Sequence, residues 1–295
     1  MSDFESELIS VAAKVDGVLD SILPQPVGPE ASLLDAMRYA CLGGGKRIRP
    51  FLVVQSGRIF GMDEETMLRI AAAVECVHTY SLVHDDLPCM DDDDMRHGKP
   101  STHLEYDEAT AVLVGDALLT FAFEILSDVN AHPDPFVRCD LVARLATSIG
   151  FHGMVGGQMI DMLAEAGELE ITAINRMQRM KTGALIAFAA ESGAVAARAS
   201  HGAIHALNGY AHDLGLAFQI TDDILDIEGD AERLGKSVGK DEKAGKATFV
   251  SILGLERARA QAGLLAAQAV AHLDLFDEKA DLLRALATFA VEREH

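Results

Sequence analysis

The 295-residue chain has few basic residues, and this shortage limits the partners it can bind. It contains 25 Lys and Arg against 46 Asp and Glu, a formal net charge of −21 at pH 7. Because proteins hold nucleic acids through basic surfaces that contact the phosphate backbone, this balance argues against a general nucleic-acid-binding protein. Basic residues that cluster locally are therefore more informative here than in an average chain.

Paired cysteines and long apolar segments are also missing. The four cysteines, Cys41, Cys76, Cys89 and Cys139, show no CxxC spacing, and the acidic amino terminus does not resemble a signal peptide. No run of 18 apolar residues occurs, so the sequence predicts no membrane span. We expect a folded cytoplasmic protein with reduced thiols.

No segment alternates apolar and polar residues over the length of a strand, and no Pro-, Gly- or Ser-rich linker divides the chain. Ala, Leu, Met and Glu instead recur with helical periodicity between clusters of Gly and Pro. The clearest predicted helices cover residues 31–42, 51–60, 64–87, 109–129, 173–192 and 204–227. We therefore predict an all-α bundle of roughly ten helices, with residues 1–295 forming a single domain.

Two aspartate clusters are the most unusual feature of the chain. They read Asp85-Asp86-Leu-Pro-Cys-Met-Asp91 and Asp222-Asp223-Ile-Leu-Asp226. So many neighbouring carboxylates repel one another unless cations hold them, and oxygen ligands without a cysteine pair suit a hard ion. The clusters predict a site for Mg²⁺, the usual metal beside phosphates. The adjacent residues 92–94 fit a solvated acidic loop equally well.

The two clusters are expected to place their carboxylates differently. On a helix, Asp222 and Asp226 lie one turn apart on the same face. In the first cluster Pro88 cannot donate to the preceding turn, so the helix should end or kink there. Asp85 would then lie in the last helical turn, and a short loop would return Asp91 to it.

The densest basic patch is Gly43-Gly44-Gly45-Lys46-Arg47-Ile48-Arg49-Pro50. Glycine backbone, three cations and the start of a helix together favour a phosphate cradle, although an ordinary loop between helices would also fit. The patch is not a Walker A loop, and no GxGxxG occurs in the chain. His78 precedes Asp85 by two helical turns, so it can face the same cavity or be an ordinary core histidine.

Five segments in order along the chain resemble the trans-isoprenyl diphosphate synthase family. They are GGGKRIRP, DDLPCMD followed by Arg96, Lys181-Thr182-Gly183, Phe218-Gln219-Ile-Thr-Asp222-Asp223-Ile-Leu-Asp226, and Gly235-Lys236. The resemblance implies a homodimeric isoprenoid synthase fold with a central cavity whose mouth both acidic motifs face. Within the family the chain is most similar to bacterial enzymes that condense isopentenyl diphosphate with dimethylallyl and geranyl diphosphate to give farnesyl diphosphate.

The resemblance also implies a role for each matching residue. Asp85, Asp91 and Asp222 would bind Mg²⁺, three ions per active site, supported by Asp86, Asp223 and Asp226. The allylic diphosphate would be held by Arg96, Lys181 and Lys236, and isopentenyl diphosphate by Lys46, Arg49 and His78. The carbocation left by ionisation would be stabilised by the Lys181 carbonyl, the Thr182 hydroxyl and the Gln219 side-chain oxygen.

Three positions bear on product length and substrate binding. In this family a bulky residue at the position of Tyr80, together with two extra residues in the first aspartate motif, goes with a fifteen-carbon product, although Tyr80 could merely pack between helices. His97 stands where bacterial members usually have a second arginine for isopentenyl diphosphate, which predicts weaker and more pH-dependent binding. The terminal Glu292-Arg293-Glu294-His295 is less basic than the tails that cap the site in many members, so its part in closure is left open.

Three other functions remain as alternatives. A geranyl or geranylgeranyl diphosphate synthase of the same family would share every motif. A terpene cyclase would share the first acidic motif, but it normally lacks the basic patch that a second diphosphate requires. A noncatalytic subunit of a heteromeric prenyl synthase would normally have lost one or both acidic motifs.

Overall fold

The regular secondary structure of the described residues is helical apart from two very short strands, so the prediction of an all-α fold is confirmed. The computed structural model of the chain describes residues 2–164, 171–228 and 249–293. The chain divides into two compact units, Met1–Val54 with Met62–Val142, and Gln55–Gly61 with Ala143–His295. The prediction that residues 1–295 form a single domain is not tested by this division and stays a prediction.

The first unit contains the helices from the amino terminus to the middle of the chain. They are α1 (Asp3–Ile22), α2 (Ala31–Cys41), α3 (Ile48–Ile59), α4 (Glu64–Asp85), α5 (Thr102–Glu105), α6 (Glu108–Ser127) and α7 (Pro135–Ile149). The last residues of α3 and of α7 belong to the second unit. Its central helix is α4, which packs against α6 and is buried along most of its length. Asp63 caps the start of α4 by accepting a hydrogen bond from the Thr66 amide.

The second unit contains the remaining helices. They are α8 (Met154–Ala164), α9 (Ile171–Gln178), a π-helical turn (Arg179–Gly183), α10 (Ala184–Ala196), α11 (His201–Glu228), α12 (Phe249–Leu253), α13 (Leu255–His272), two 3-10 turns (Leu273–Leu275 and Glu278–Ala280) and α14 (Asp281–Glu292). The long helix α11 packs along α13 around an apolar cluster that includes Ala217, Ile220 and Leu265. This packing fixes the helix that carries the second aspartate motif.

Two local features differ from the sequence prediction. The helix predicted over residues 173–192 is interrupted by the π-turn Arg179–Gly183, which apolar periodicity does not reveal because it adds one residue to a continuous helical path. A two-stranded hairpin, β1 (Met95–Arg96) and β2 (Lys99–Pro100), follows the first aspartate motif. Its strands are two residues long, too short for an alternating pattern.

Helix α6 is long and apolar enough, by length and composition alone, to cross a membrane. One such helix is weak evidence for a span, because the core helices of soluble proteins meet the same criterion. Only 39% of its most apolar window is buried, and Val112 and Leu113 are exposed. The helix therefore presents an apolar face that packing within the described chain leaves uncovered.

A buried ion pair ties the basic loop to α4 in the first unit. The Glu75 carboxylate, 5% exposed, accepts a hydrogen bond from Arg47 at 2.5 Å. Burial raises the pKa of Glu75, while the Arg47 guanidinium opposes that rise. A buried charge whose partner is removed is strongly destabilising, because nothing then offsets its lost hydration.

We expect Glu75→Gln to lower the free energy of unfolding by about 3 kcal/mol, because Arg47 would lose its buried partner. Glu64→Gln is the matched control, since Glu64 lies on the same helix and pairs with Lys14 at 2.8 Å in an exposed position. The control should cost at most about 1 kcal/mol. Urea unfolding followed by circular dichroism measures both, and equal losses would contradict the prediction.

Candidate active site

The first aspartate motif has the geometry that Pro88 predicts. Helix α4 ends at Asp85, and the chain then turns through residues 86–91. The Asp91 amide donates a hydrogen bond to the Asp85 carbonyl at 2.8 Å, so the loop brings Asp91 back to the helix end. A helix carboxyl end carries partial negative charge, which makes cations favourable beside Asp85.

Asp86 is already paired with a cation of the protein. Its buried carboxylate accepts three hydrogen bonds from Arg96, two of them from Nε at 3.1 Å and 3.3 Å, and a further contact joins Arg96 to Asp93 at 3.4 Å. Burial raises the pKa of Asp86, and the Arg96 guanidinium opposes the rise. Arg96 therefore lies beside the first motif, and its role toward a diphosphate stays a prediction.

The hairpin that carries Arg96 turns through His97 and Gly98. Both residues have positive φ, 51° and 77°, as the two central residues of a type I′ turn require. Histidine is among the few residues besides glycine that are enriched in this left-handed region. This backbone conformation gives a local reason for a histidine at position 97.

The His97 ring lies against the basic loop. A Cβ built at Gly45 would lie 3.3 Å from the His97 Cε1 atom, so the glycine leaves space for the ring. Partial burial lowers the pKa of His97, and the charges of Arg96 and Arg47 lower it further. His97 is therefore mostly neutral at and above neutral pH.

The basic loop supplies fewer cations to a phosphate than its sequence suggests. Arg47, at a positive φ of 51°, turns inward and is buried, where it contacts Glu75, Asp16 and the Cys41 carbonyl. The expectation of three cations in the cradle is therefore wrong for Arg47, which is engaged in the core of the first unit. Lys46 is exposed beside it.

Arg49 and His78, to which the family resemblance gives a common substrate, are in contact. The Arg49 Nη1 atom is 3.3 Å from His78 Nε2. Because arginine can only donate, the histidine nitrogen must accept. Burial and the Arg49 charge lower the pKa of His78 well below its usual value, so the ring is neutral and suited to accepting.

Tyr80 is buried on α4 and packs edge-on against His84, with ring centroids 5.9 Å apart. Burial and the nearby Asp85 charge raise its pKa to about 12. A cavity in the first unit opens on another face of the same helix, lined there by Thr79, Val83 and Asp86. The structure thus places a rigid aromatic ring on α4 before the first motif, and its role as a length stop stays a prediction.

The second aspartate motif lies near the end of α11, and its carboxylates have separate partners. Asp222 pairs with Arg293 at 2.8 Å. Asp223 is buried and accepts a hydrogen bond from the Phe249 amide at 2.9 Å, which caps the start of α12. Asp226 is buried. Lys236 lies outside the described residues.

Arg293 follows α14 and contacts the second acidic motif. Its guanidinium lies 4.5 Å from the centroid of the Phe218 ring and donates to the Phe218 carbonyl as well as to Asp222. The side chain is only 9% exposed. Arg293 therefore reaches the second acidic motif, a contact that an arginine between two glutamates gave no reason to expect.

The residues expected to stabilise a carbocation lie together in the second unit. Lys181 and Thr182 occupy the π-turn, and the Thr182 hydroxyl donates to the Gln219 side-chain oxygen at 3.0 Å. The Lys181 ammonium donates to Asp161 on α8 at 2.5 Å. The sequence offered no direct reason to select Asp161. The one available signal was its position four residues after Gly157, on the same face of a helix.

The chemistry of the donor set fits a hard divalent cation. Both motifs offer carboxylate oxygens alone, and the loop fold keeps Asp85 and Asp91 joined through their backbones. Within residues 2–164, 171–228 and 249–293, no three His, Cys, Asp or Glu side chains converge into a ready-made metal cage. Asp86 and Asp222, which are paired with Arg96 and Arg293, would have to exchange these arginines for metal.

Comparisons with known proteins point to one family. A family model described as polyprenyl synthetase matches residues 30–285. The farnesyl diphosphate synthase of Escherichia coli (strain K12) is 42% identical over 299 residues, covering 99% of both chains. The geranylgeranyl diphosphate synthase of Cyanophora paradoxa is 42% identical over 282 residues, covering 95% of this chain and 93% of the relative. The apo crystal structure of an FPP/GFPP synthase from Zymomonas mobilis matches with a TM-score of 0.90 and 47% identity, covering 98% and 99% of the two chains.

The charge of His97 can be tested through its effect on the binding of isopentenyl diphosphate. Because the pKa of His97 is lowered, we expect the wild-type Michaelis constant for isopentenyl diphosphate at pH 8 to exceed that of His97→Arg about tenfold, the value of one charge-assisted hydrogen bond. The ratio should shrink toward pH 6 as His97 gains a proton. Steady-state kinetics from pH 6 to 8 measure this ratio, in which titration of the substrate cancels.

The control is His97→Asn, which tolerates the left-handed turn but cannot be charged. Its Michaelis constant relative to that of His97→Arg should not change with pH. Equal constants for wild type and His97→Arg over the whole range would contradict a role for the charge of His97.

Proposed function

Because the chain belongs to the polyprenyl synthetase family and is a prenyltransferase, we propose that its product is the fifteen-carbon farnesyl diphosphate. In this proposal it joins isopentenyl diphosphate first to dimethylallyl and then to geranyl diphosphate. Support comes from bacterial relatives named farnesyl diphosphate synthase at 40–42% identity. The geranylgeranyl diphosphate synthase relative and the FPP/GFPP synthase structure make a longer product the second candidate.

One observation carries the proposed chemistry. The Thr182 hydroxyl and the Gln219 oxygen are 3.0 Å apart, and Gln219 precedes Asp222 by three residues on α11. Residues three apart share a helix face, so these dipoles lie one turn from the carboxylates of the second motif. That arrangement suits a reaction in which a diphosphate leaves at one point and positive charge develops beside it.

The cationic side chains would hold the allylic substrate by its diphosphate. Arg96 would exchange its protein carboxylates for oxygens of the diphosphate, and Lys181 would donate to these oxygens while its ammonium keeps the hydrogen bond to Asp161. Lys236, which lies outside the described residues, would be the third cation. Mg²⁺ bound by Asp85, Asp91 and Asp222, with Asp86, Asp223 and Asp226 in support, would neutralise charge on the leaving diphosphate. The allylic carbon–oxygen bond breaks, and the diphosphate departs with the electron pair.

The chain then needs to guide the second substrate. Lys46 and Arg49 would hold the diphosphate of isopentenyl diphosphate, and neutral His78 would keep the Arg49 guanidinium in place. The double bond of this substrate attacks the allylic cation to form a carbon–carbon bond, and the departed diphosphate takes the proton lost from the adduct. The Lys181 carbonyl, Thr182 hydroxyl and Gln219 oxygen stabilise the cation without forming a bond to it.

The remaining alternatives from the sequence fit less well. A noncatalytic subunit would have no use for two intact acidic motifs together with Lys181, Thr182 and Gln219. A terpene cyclase needs no second diphosphate site, whereas Arg49 and His78 are in contact beside an exposed Lys46. These contacts support a prenyltransferase with two diphosphate substrates.

The proposal is tested with purified protein, Mg²⁺, isopentenyl diphosphate and each allylic diphosphate from five to fifteen carbons. Products are sized by chromatography after dephosphorylation. We expect the five- and ten-carbon substrates to be extended to fifteen carbons and the fifteen-carbon substrate to remain unextended. A twenty-carbon main product would replace the farnesyl assignment, and no condensation with any substrate would contradict a prenyltransferase.

Tyr80→Ala provides the second arm of the same assay. Removing the buried ring opens space on α4, so we expect products longer than fifteen carbons. Tyr80→Phe keeps the ring and should retain the wild-type length. An unchanged fifteen-carbon limit in a folded Tyr80→Ala protein would show that the ring is not the stop.

We also propose that the protein is a homodimer that uses the apolar face of α6. Leu113 on this face is 54% exposed, and a second copy of the chain would cover it. Light scattering should give about twice the chain mass of 31.6 kDa for the wild type and for the loop control Val27→Glu. Leu113→Glu should give the mass of one chain. A wild-type mass of 31.6 kDa would contradict the dimer.

A further inference from the structure

A carboxylate outside both aspartate motifs holds the candidate catalytic lysine. Asp161 on α8 accepts a hydrogen bond from Lys181, with Oδ2 and Nζ 2.5 Å apart. The Asp161 side chain is 13% exposed and that of Lys181 24%, so water screens the pair weakly. Neither acidic motif requires this carboxylate, so its place beside Lys181 calls for a separate explanation.

Helix α8 contacts the main chain of the same lysine as well. Gly157 lies one turn before Asp161 on the same helix face. A Cβ at Gly157 would come within 2.2 Å of the Lys181 backbone nitrogen, a distance that no side chain could accept. One face of α8 therefore holds Lys181 at two points, with Gly157 against its backbone and Asp161 on its ammonium.

Both contacts fall on the π-turn Arg179–Gly183. Such turns are wider than the α-helix and are frequent at functional sites, because they change the direction of local backbone groups. The close approach of α8 leaves the Lys181 peptide little room to rotate, and the hydrogen bond of the ammonium holds the side chain against the same helix. The next residue, Thr182, is fixed in turn by its hydrogen bond to Gln219.

We propose that Asp161 is a positioning residue that acts on the reaction through Lys181. It holds the ammonium beside α8 and so keeps the π-turn in the orientation that directs the Lys181 carbonyl and the Thr182 hydroxyl toward the developing cation. Asp161 itself touches no substrate. The inference rests on the role proposed above for Lys181.

The first test separates catalysis from binding. Asp161→Asn keeps the side-chain shape and removes the charge, so we expect kcat to fall about tenfold to a hundredfold, the usual effect of a small misplacement of reacting groups. The Michaelis constant for the allylic diphosphate should be unchanged or lower, because the freed ammonium attracts the substrate. General structural damage would raise that constant, and a raised constant or an unchanged kcat would overturn the proposal.

Asp281→Asn is the matched control. Asp281 is also an aspartate of the second unit and pairs with Arg284 at 2.6 Å, but its side chain is 67% exposed. This variant should keep wild-type kcat and Michaelis constants. A loss in the control equal to that of Asp161→Asn would show that any broken aspartate pair has the same effect, and would overturn a specific role for Asp161.

A double-mutant cycle tests whether the effect passes through Lys181. If it does, Asp161→Asn combined with Lys181→Met should have the same kcat as Lys181→Met alone. Multiplying losses would mean that Asp161 acts independently, which overturns the proposal. Wild-type activity of Lys181→Met would instead refute the role of Lys181, so the two failures can be told apart.

Asp161→Glu covers the case in which Asp161→Asn does not fold. It retains the negative charge on a longer side chain, so we expect a thermal midpoint near that of wild type and a kcat well above that of Lys181→Met. A folded Asp161→Glu protein with kcat as low as that of Lys181→Met would overturn the proposal.

Discussion

The repulsion between crowded carboxylates is the constraint on which the candidate site depends. Aspartates near the ends of two helices add negative charge where the helix dipole is already negative. The protein balances them with its own cations, Arg96 at Asp86 in the first unit and Arg293 at Asp222 in the second. The short hairpin carries Arg96, and Arg293 directly follows α14. Each of these elements therefore presents an arginine to a carboxylate of its own unit.

Because these carboxylates and arginines are already paired, metal and diphosphate can replace the two partners at a small electrostatic cost. A metal that takes a carboxylate leaves an arginine without its partner, and a diphosphate is the anion that an arginine fork binds best. Metal and diphosphate together would therefore replace each protein pair with two new ones and leave no charge unbalanced. Either ligand alone would leave one charge unmatched in a half-buried setting.

Sequence patterns predicted those parts of the site that depend on local rules. Pro88 predicted that α4 ends near Asp85 and that a loop returns Asp91 to it. Helical spacing predicted that His78 lies two turns before Asp85 on the same face of the helix. Arg47, the π-turn and Arg293 escaped prediction for a different reason. Whether an arginine in a basic loop faces solvent or a buried Glu75 depends on a partner 28 residues away, and a terminal arginine reaching Phe218 depends on the packing of α14.

The glycines of the second unit show why the π-turn can carry chemistry. A carbocation must be met by dipoles, because a nucleophilic side chain would capture it. Backbone carbonyls serve this purpose only if the chain around them is held close and rigid. Gly157 lets α8 approach the Lys181 nitrogen, and a Cβ at Gly215 on α11 would touch Gly183 at 3.5 Å. The turn is therefore packed from two sides by residues without side chains, which keeps its backbone groups aligned.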